Sequence, residues 1–293
     1  MTDRSIPDIG ATHLTALEGG VSDASVWRGR LDDREVVIKR TSGAEIAVVQ
    51  LIMELGESML PRLLFSGVDD LGPWMVLPFH PGKPAGITAG LPAEVHRCIG
   101  RLHAHFMSRV GELPLDLERL DETFVDRALT EFGPAVLQRA ESLLSIDARL
   151  RAVDLLEELA ADPVFRSTGA LLPATLLHGD LYGMNVILPT PHRNTGTEPL
   201  IIDWNAARVG PAMFDVAMSA DYDSASRRAH HEGWREVAGR LPDEHETQLA
   251  HAWSSALINI MYAGVVAVRA SADAGVAMIA VAERSAARFN SLS

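Results

Sequence analysis

Apolar and polar residues alternate from the first well-patterned stretch of the chain: HLTALEGG, a turn of small residues, SVWRGRL, the dipeptide DD, and REVVIKR. A period of two marks half-buried strands, and the turns between them predict an antiparallel set of three. Over residues 42–55 the period lengthens, because SGAEIAVVQLIMEL sets apolar residues at helical spacing behind a serine able to cap them. PRLLFSG and WMVLPF predict two more strands. After the turn-rich stretch HPGKPAGITAGLP the pattern is helical, in AEVHRCIGRLHAHFM, DETFVDRALTEF, PAVLQRAESLLSI and DARLRAVDLLEELAAD. The apolar stretch LLHGDLYGMNVIL, the polar loop PTPHRNTGTEP and the short strand LIIDW interrupt the helices, which then run to the C-terminus. The pattern predicts the α+β class, with a small sheet-rich lobe over residues 1–79 and a larger, mainly helical lobe over residues 80–293.

Composition narrows the partners more than the fold. With 47% hydrophobic and 22% charged residues among 293, the chain has an ordinary folded composition. It has no uninterrupted apolar run of the roughly 18 residues that a membrane span needs, and its start lacks a secretory pattern, so a cytoplasmic protein with no membrane partner is expected. The lone Cys98 supplies neither a disulfide nor a cysteine metal cluster and reads as buried filler. A balance of 26 basic against 39 acidic residues gives a net charge of −13, which repels nucleic acid and leaves room for a cationic ligand.

The chemistry concentrates in HGDLYGMN. His178, Asp180, Leu181 and Asn185 keep the spacing H-x-D-L-x-x-x-N of the protein-kinase catalytic loop, with glycine in place of its arginine. Phosphoryl transfer needs a carboxylate that accepts the proton of the attacking hydroxyl and oxygen ligands that hold Mg2+ against the phosphates. Asp180 and Asn185 are of those types, although a turn-capping Asp and a backbone-satisfying Asn would look the same. Eighteen residues after Asn185, Asp203 ends the strand LIIDW as the aspartate of D-F-G does, which makes it a second metal-ligand candidate. Lys39 ends REVVIKR like the phosphate-binding lysine of V-A-I-K, and Glu45 or Glu54 in the next helix is its candidate partner. LEGGVSDAS offers Gly19, Gly20 and Ser22 as a phosphate-covering turn. A Walker loop, a G-x-S-x-G elbow and a helical zinc pair are missing: the histidines of HETQLAH stand six apart, and His230 and His231 point to different faces, so these read as surface histidines.

Together these motifs resemble the aminoglycoside phosphotransferase and choline-kinase-like family of small-molecule kinases. HGDLYGMN is similar to the family's H-G-D-x-x-x-x-N, IIDWNAARVGPAMFDVA to its I-D-W…G…D-x-A segment, IGRLHAHF to its helix ending in Leu-His, and AEIAVVQL to its Glu-led helix. The resemblance implies a protein-kinase-like bilobal fold with the nucleotide between the lobes, Asp180 as catalytic aspartate, Asn185 and Asp203 as Mg2+ ligands, and Glu45 rather than Glu54 as the partner of Lys39. It further implies that WMVLPFHPG joins the lobes and meets the purine through the Pro78 carbonyl and the His80 N–H, with Val37, Leu77 and Ile202 as walls. His178 and Asp215 are then braces of the catalytic loop. Protein kinases themselves fit less well: no glycine completes D-F-G, no A-P-E appears, and eleven residues between Asp203 and Asp215 leave no room for a phosphorylated activation loop.

The activity expected is transfer of the γ-phosphoryl group of ATP or GTP to a hydroxylated small-molecule acceptor. The leading acceptor is an antibiotic, either an aminoglycoside or another natural product such as a nucleoside or macrolide, with resistance as the outcome. Carboxylates in the segments 115–126, 219–226 and 241–246 are candidates for holding a cationic acceptor. A metabolic kinase for choline, a sugar or an amino alcohol is the alternative, and a nucleotide-binding regulatory pseudokinase is the alternative of another class.

Overall fold

A computed structural model describes residues 6–17, 25–87, 89–190, 198–221 and 224–293. The chain packs as two units. The first takes Met1–Ala85, Pro114–Asp116 and Met184–Ala207, and the second takes Gly86–Leu113, Leu117–Gly183 and Arg208–Ser293. A cut at 79/80 divides the sequence, whereas packing returns the segment from Met184 to Ala207 to the first unit.

The first unit is built on a five-stranded antiparallel sheet of order β1-β2-β3-β5-β4. Its strands are β1 (Thr12–Ala16), β2 (Val26–Leu31), β3 (Arg34–Arg40), β4 (Phe65–Asp69) and β5 (Gly72–Pro78). Asp32 and Asp33, both at positive φ, close the β2–β3 hairpin in the two-residue form that matches strand twist. Alternation puts Val36 and Ile38 with Trp27 and Val76 in a core on one face. Helix α1 (Gly43–Met53) follows β3 almost at once, since the Ser42 hydroxyl accepts the Glu45 N–H at 3.1 Å and satisfies one of its unpaired donors. The expected strand over PRLLFSG begins only at Phe65; Pro61, with no N–H to give to a ladder, lies before it.

A second sheet, of order β10-β9-β6, completes this unit with β6 (Gly82–Pro84), β9 (Val186–Pro189) and β10 (Leu200–Ile201). Gly82 sits where the expected turn chemistry gives way to a short strand. A Cβ there would collide with the Leu188 carbonyl, so the β6–β9 approach requires glycine. The Ile201 N–H donates to the Met59 carbonyl at 2.9 Å and ties the hairpin to the loop after α1.

The second unit is mainly helical: α2 (Ala93–Met107), α3 (Glu122–Arg127), α4 (Gly133–Arg139), α5 (Ile146–Ala161), α6 (Pro163–Leu171), α7 (Met213–Ala217), α8 (Ala225–Ala238), α9 (Glu244–Arg269) and α10 (Ala272–Leu292). A small sheet of order β7-β11-β8 is set among them, from β7 (Glu118–Arg119), β8 (Ala174–Leu177) and β11 (Arg208–Pro211). The two helices expected over 121–146 instead run together through one π turn, Ala128–Phe132, just before Pro134. Proline has no N–H for the preceding turn and crowds its carbonyl, and widening the turn relieves both. Helix α6, absent from the sequence pattern, opens on Asp162 as cap and Pro163 at its first position. Helix α9 is long and apolar enough to cross a membrane, yet most of it is buried against its neighbours as the unit's core helix. At its centre Trp253 donates its indole N–H to the Phe165 carbonyl at 2.8 Å.

Candidate active site

In the first unit the site starts from strand register. Lys39 stands between Val26 on β2 and Met75 on β5, and its side chain is buried. Its ammonium donates to Glu45 Oε1 and to Asp203 Oδ1, each at 2.7 Å. Only five residues separate Lys39 from Glu45, and the pair closes because Ser42 starts α1 at once, putting Glu45 in its first turn. The Thr41 hydroxyl donates to the other Glu45 oxygen. A buried ammonium costs free energy unless carboxylates and hydrogen bonds surround it, and two carboxylates meet that demand.

Asn185 and Asp203 lie at one end of the β9–β10 hairpin. The ladder pairs Ile201 with Val186, and the Ile202 N–H donates to the Asn185 carbonyl at 2.9 Å, so Asp203 is the next residue beyond that pair. Asp203 takes φ 62°, a left-handed conformation that aspartate tolerates better than bulkier side chains. The Ser42 hydroxyl reaches Asn205 Oδ1 at 3.2 Å, which links this turn to the cap of α1. An amide oxygen and a carboxylate are hard donors, and two protein ligands leave positions for phosphate oxygens and water. That donor set fits Mg2+. The Lys39 ammonium on Asp203 shows that positive charge is stabilised at this carboxylate.

The expected purine contacts fall on the same unit. Val37 and Leu77 are opposite each other on β3 and β5, on the face away from the Val36 core, and Ile202 belongs to the Asn185 hairpin. The Phe79 N–H donates to the Glu35 carbonyl at 3.0 Å. In a trans peptide that turns the Pro78 carbonyl away from β3, and β4 has by then ended, its Phe65 opposite Val76. His80 is half-buried, with no hydrogen-bond partner for its Nε2 among the described residues. Gly19, Gly20 and Ser22 lie outside the described residues.

In the second unit β8 delivers the loop of His178, Gly179 and Asp180. Asp215, fully buried on α7, accepts the His178 N–H at 2.7 Å on Oδ2 and the Gly179 N–H at 2.9 Å on Oδ1. The His178 ring in turn accepts the Asp180 N–H through Nδ1 at 3.3 Å. His103 on α2 adds its Nε2 to Asp215 Oδ2 at 3.1 Å, and its Nδ1 meets Nε2 of His230 on α8 at 2.9 Å. Burial pushes the Asp215 carboxyl up. The hydrogen bond from His103, with help from the Gly179 N–H, outweighs it and holds the group below the usual carboxylate range.

Beside Asp180 lies a mixed-charge flank. Glu118 on β7 is in register with Arg208 on β11, which is in register with Leu177, the last residue of β8. Arg208 Nη1 stands 3.5 Å from Glu118 Oε2, its guanidinium lies over the Phe124 ring at 5.1 Å, and Arg127 pairs with the same Glu118. Tyr262 of α9 meets Phe132, at the end of the π turn, edge-to-face with centroids 5.6 Å apart. Burial pushes the Tyr262 hydroxyl up to about 12, the negative charge of Asp180 adds to this, and Arg208 opposes it. Electrostatics therefore tie Tyr262, Asp180 and Arg208 to one locality.

The family model described as the phosphotransferase enzyme family, APH, matches residues 13–250. This chain belongs to that family. Among solved structures, the APH-family chain is similar to an aminoglycoside phosphotransferase from Alicyclobacillus acidocaldarius, with TM-score 0.55 and 16% identity over 98% of this chain and 92% of that one. It is also similar to spectinomycin phosphotransferase APH(9)-Ia in complex with ADP and spectinomycin, with TM-score 0.53 and 12% identity over 92% and 88%. A third is a GDP complex of an aminoglycoside 2'-phosphotransferase-IIIa mutant, with TM-score 0.50 and 16% identity over 98% and 96%. No curated protein sequence matches the chain. The fold is accordingly α+β and protein-kinase-like, with a sheet-bearing first unit and a mainly helical second one.

Two outcomes differ from the sequence reading of this phosphotransferase-family chain. His230, His231 and His251 are not surface histidines: all three are buried, and His251 Nε2 meets the Ala220 carbonyl at 3.1 Å. For His230 and His231 the reason is the α2–α8 contact, where a Cβ on Gly100 would collide with the His230 carbonyl and one on Gly233 with that of Arg97. Glycines let the helix backbones approach and bury what lies between them. Glu118, His103, Arg208 and Tyr262 were not singled out. The available signals were a histidine on the apolar face of α2 and an acid in the 115–126 segment.

Proposed function

We propose that this chain catalyses in-line transfer of the γ-phosphoryl group of ATP or GTP to a hydroxyl of a small molecule. The observation that carries the reading is Lys39, whose buried ammonium is held between Glu45 and Asp203, the latter on the hairpin that also carries Asn185; this supports Lys39 as the phosphate-binding cation and the hairpin as the metal-ligand segment. Lys39 binds and orients the phosphates, while Asn185 and Asp203 hold Mg2+ by their oxygens. When bound, the metal neutralises charge on the phosphates. Asp180 orients the acceptor hydroxyl and takes its proton as the new O–P bond forms; the bond to the β-phosphate oxygen breaks, and the diphosphate leaves with its electron pair. Five residues of chain tie Asp180 to Asn185, a reach of at most about 18 Å. His178 and Asp215 hold the loop's backbone and take no proton from the reaction.

The acceptor is a hydroxylated antibiotic, and phosphorylation of it confers resistance. Two arginines share Glu118, and the Tyr262–Phe132 pair offers an aromatic edge. This support favours acceptors with an apolar face and few positive charges, such as a nucleoside or macrolide, over a polycationic aminoglycoside. The test is phosphate transfer from ATP and from GTP to a panel of neutral and cationic hydroxylated acceptors, choline and sugars included. Asp180→Asn is expected to leave nucleotide affinity within about twofold and to lower turnover roughly a hundredfold or more. Turnover near the wild-type rate in that variant sinks the assignment. A clear preference for polycations overturns the acceptor class alone. Nucleotide binding with no turnover on any acceptor gives the regulatory reading instead.

A further inference from the structure

We infer that His230, on α8 and outside any kinase motif, is a positioning residue for the catalytic loop, acting through a directional chain of hydrogen bonds His230 to His103 to Asp215 to the His178 and Gly179 N–H groups. The inference rests on the reading of Asp180 as the catalytic aspartate. Every side chain in the chain of bonds is fully buried. The distances are 2.9 Å from His230 Nε2 to His103 Nδ1, 3.1 Å from His103 Nε2 to Asp215 Oδ2, and 2.7 and 2.9 Å from Asp215 to the two backbone donors.

The direction of each bond follows from donor and acceptor counting. Burial holds His230 neutral, so its ring has a single N–H. His230 Nδ1 is buried with no partner among the described residues. A hydrogen on Nδ1 would be a buried donor left unmade, whereas a bare lone pair there costs less. The hydrogen therefore sits on Nε2 and is donated to His103 Nδ1. That fixes His103 as the tautomer with its hydrogen on Nε2, and an ionised Asp215 can only accept it. With one oxygen receiving both His103 and the His178 N–H, and the other the Gly179 N–H, the carboxylate is held in the orientation that fixes the backbone immediately before Asp180.

The same histidine is anchored from a second side. The Thr175 hydroxyl, on the strand that leads into the loop, donates to the His103 carbonyl at 2.8 Å. Side chain and backbone of His103 thus grip both ends of the segment from β8 to Gly179. Without the His230 donor, His103 Nδ1 would be a buried acceptor with no partner, and the ring would lose the contact that fixes its rotation, leaving it held at one end only, by Asp215. A ring free to tilt carries with it the Asp215 oxygen that also receives the His178 N–H, and the loop backbone loses its fixed position.

Two measurements test this on the full chain. Nitrogen-15 histidine spectra near neutral pH are expected to show His103 protonated on Nε2 and bare on Nδ1; a hydrogen on His103 Nδ1 overturns the inference. Steady-state release of phosphate from ATP and GTP with Mg2+, with water as the acceptor, is then compared among variants. His230→Leu is expected to lower kcat about tenfold to a hundredfold with the nucleotide KM unchanged, because the displacement lies at the loop and not at the phosphates. His230→Gln, whose side-chain amide places a donor near the old Nε2, is expected to restore most of the rate. A folded His230→Leu protein with wild-type kcat, or a His230→Gln protein as slow as His230→Leu, overturns the role. If His230→Leu does not fold, the tautomer of the intact enzyme decides. Asp180→Asn separates the two readings: if it leaves turnover intact, the catalytic assignment fails while the tautomer result stands independently.

Discussion

At Lys39 a single ammonium is shared by two carboxylates, and the consequences of removing either side differ. Lys39→Met fills the same space but strands the buried Glu45 carboxylate, so it is expected to cost about 3–5 kcal/mol of stability as well as nucleotide affinity. Adding Glu45→Gln removes the stranded charge, and the double variant is expected to recover part of the stability and none of the affinity. Urea denaturation and nucleotide titration of the three variants check this. An unaltered denaturation midpoint for Lys39→Met means that the pair is not buried as described. The chemical types of the candidate residues were legible in the sequence, since Lys39, Asn185 and Asp203 in the first unit and Asp180 in the second fall at recognisable spacings. Their partners were less so. His103 stands 112 residues from Asp215 and 127 from His230, and no local spacing links such positions.

Elements were legible wherever a local signal sets them. Ser42 announced α1 and caps it, the alternation of REVVIKR announced β3, and the dipeptide DD announced the hairpin turn. The π turn and α6 were missed because a proline can be read equally as an end, a kink or a first-turn residue. The α2–α8 contact supplies a test at this scale. An Ala in place of Gly within a helix ordinarily stabilises by roughly 1 kcal/mol. Gly100→Ala and Gly233→Ala are expected to do the opposite, destabilising by about 2 kcal/mol or more, because each new methyl meets a backbone carbonyl that cannot turn aside. Thermal melts of the two variants check the sign. Ser42→Ala is expected to lose about 1 kcal/mol with the cap of α1.

For the whole molecule, buried neutral histidines set the acid limit of stability. Burial lowers His96 to about 4 and His251 to about 4, from an ordinary value of 6.5. Between those values the unfolded chain binds protons that the folded chain does not, so stability rises with pH across that window and levels off above it. Each histidine contributes a slope of about 1 kcal/mol per pH unit. Denaturation midpoints measured across the window are expected to fall as pH is lowered, and His251→Gln is expected to flatten part of the slope; a flat profile in the wild type contradicts the burial.

The sequence by itself determined most of the element types, the α+β class and the identity and order of the candidate phosphoryl-transfer residues, because periodicity, caps and short motifs are written within a few residues of one another. Tertiary structure alone decided that Met184–Ala207 packs with the first sheet, that Glu118 is shared by two arginines, and that His230 is buried against His103. Each of those depends on which distant segments touch. That is fixed by how closely backbones can approach, as at Gly100 and Gly233, and by which buried polar groups must find partners once they do.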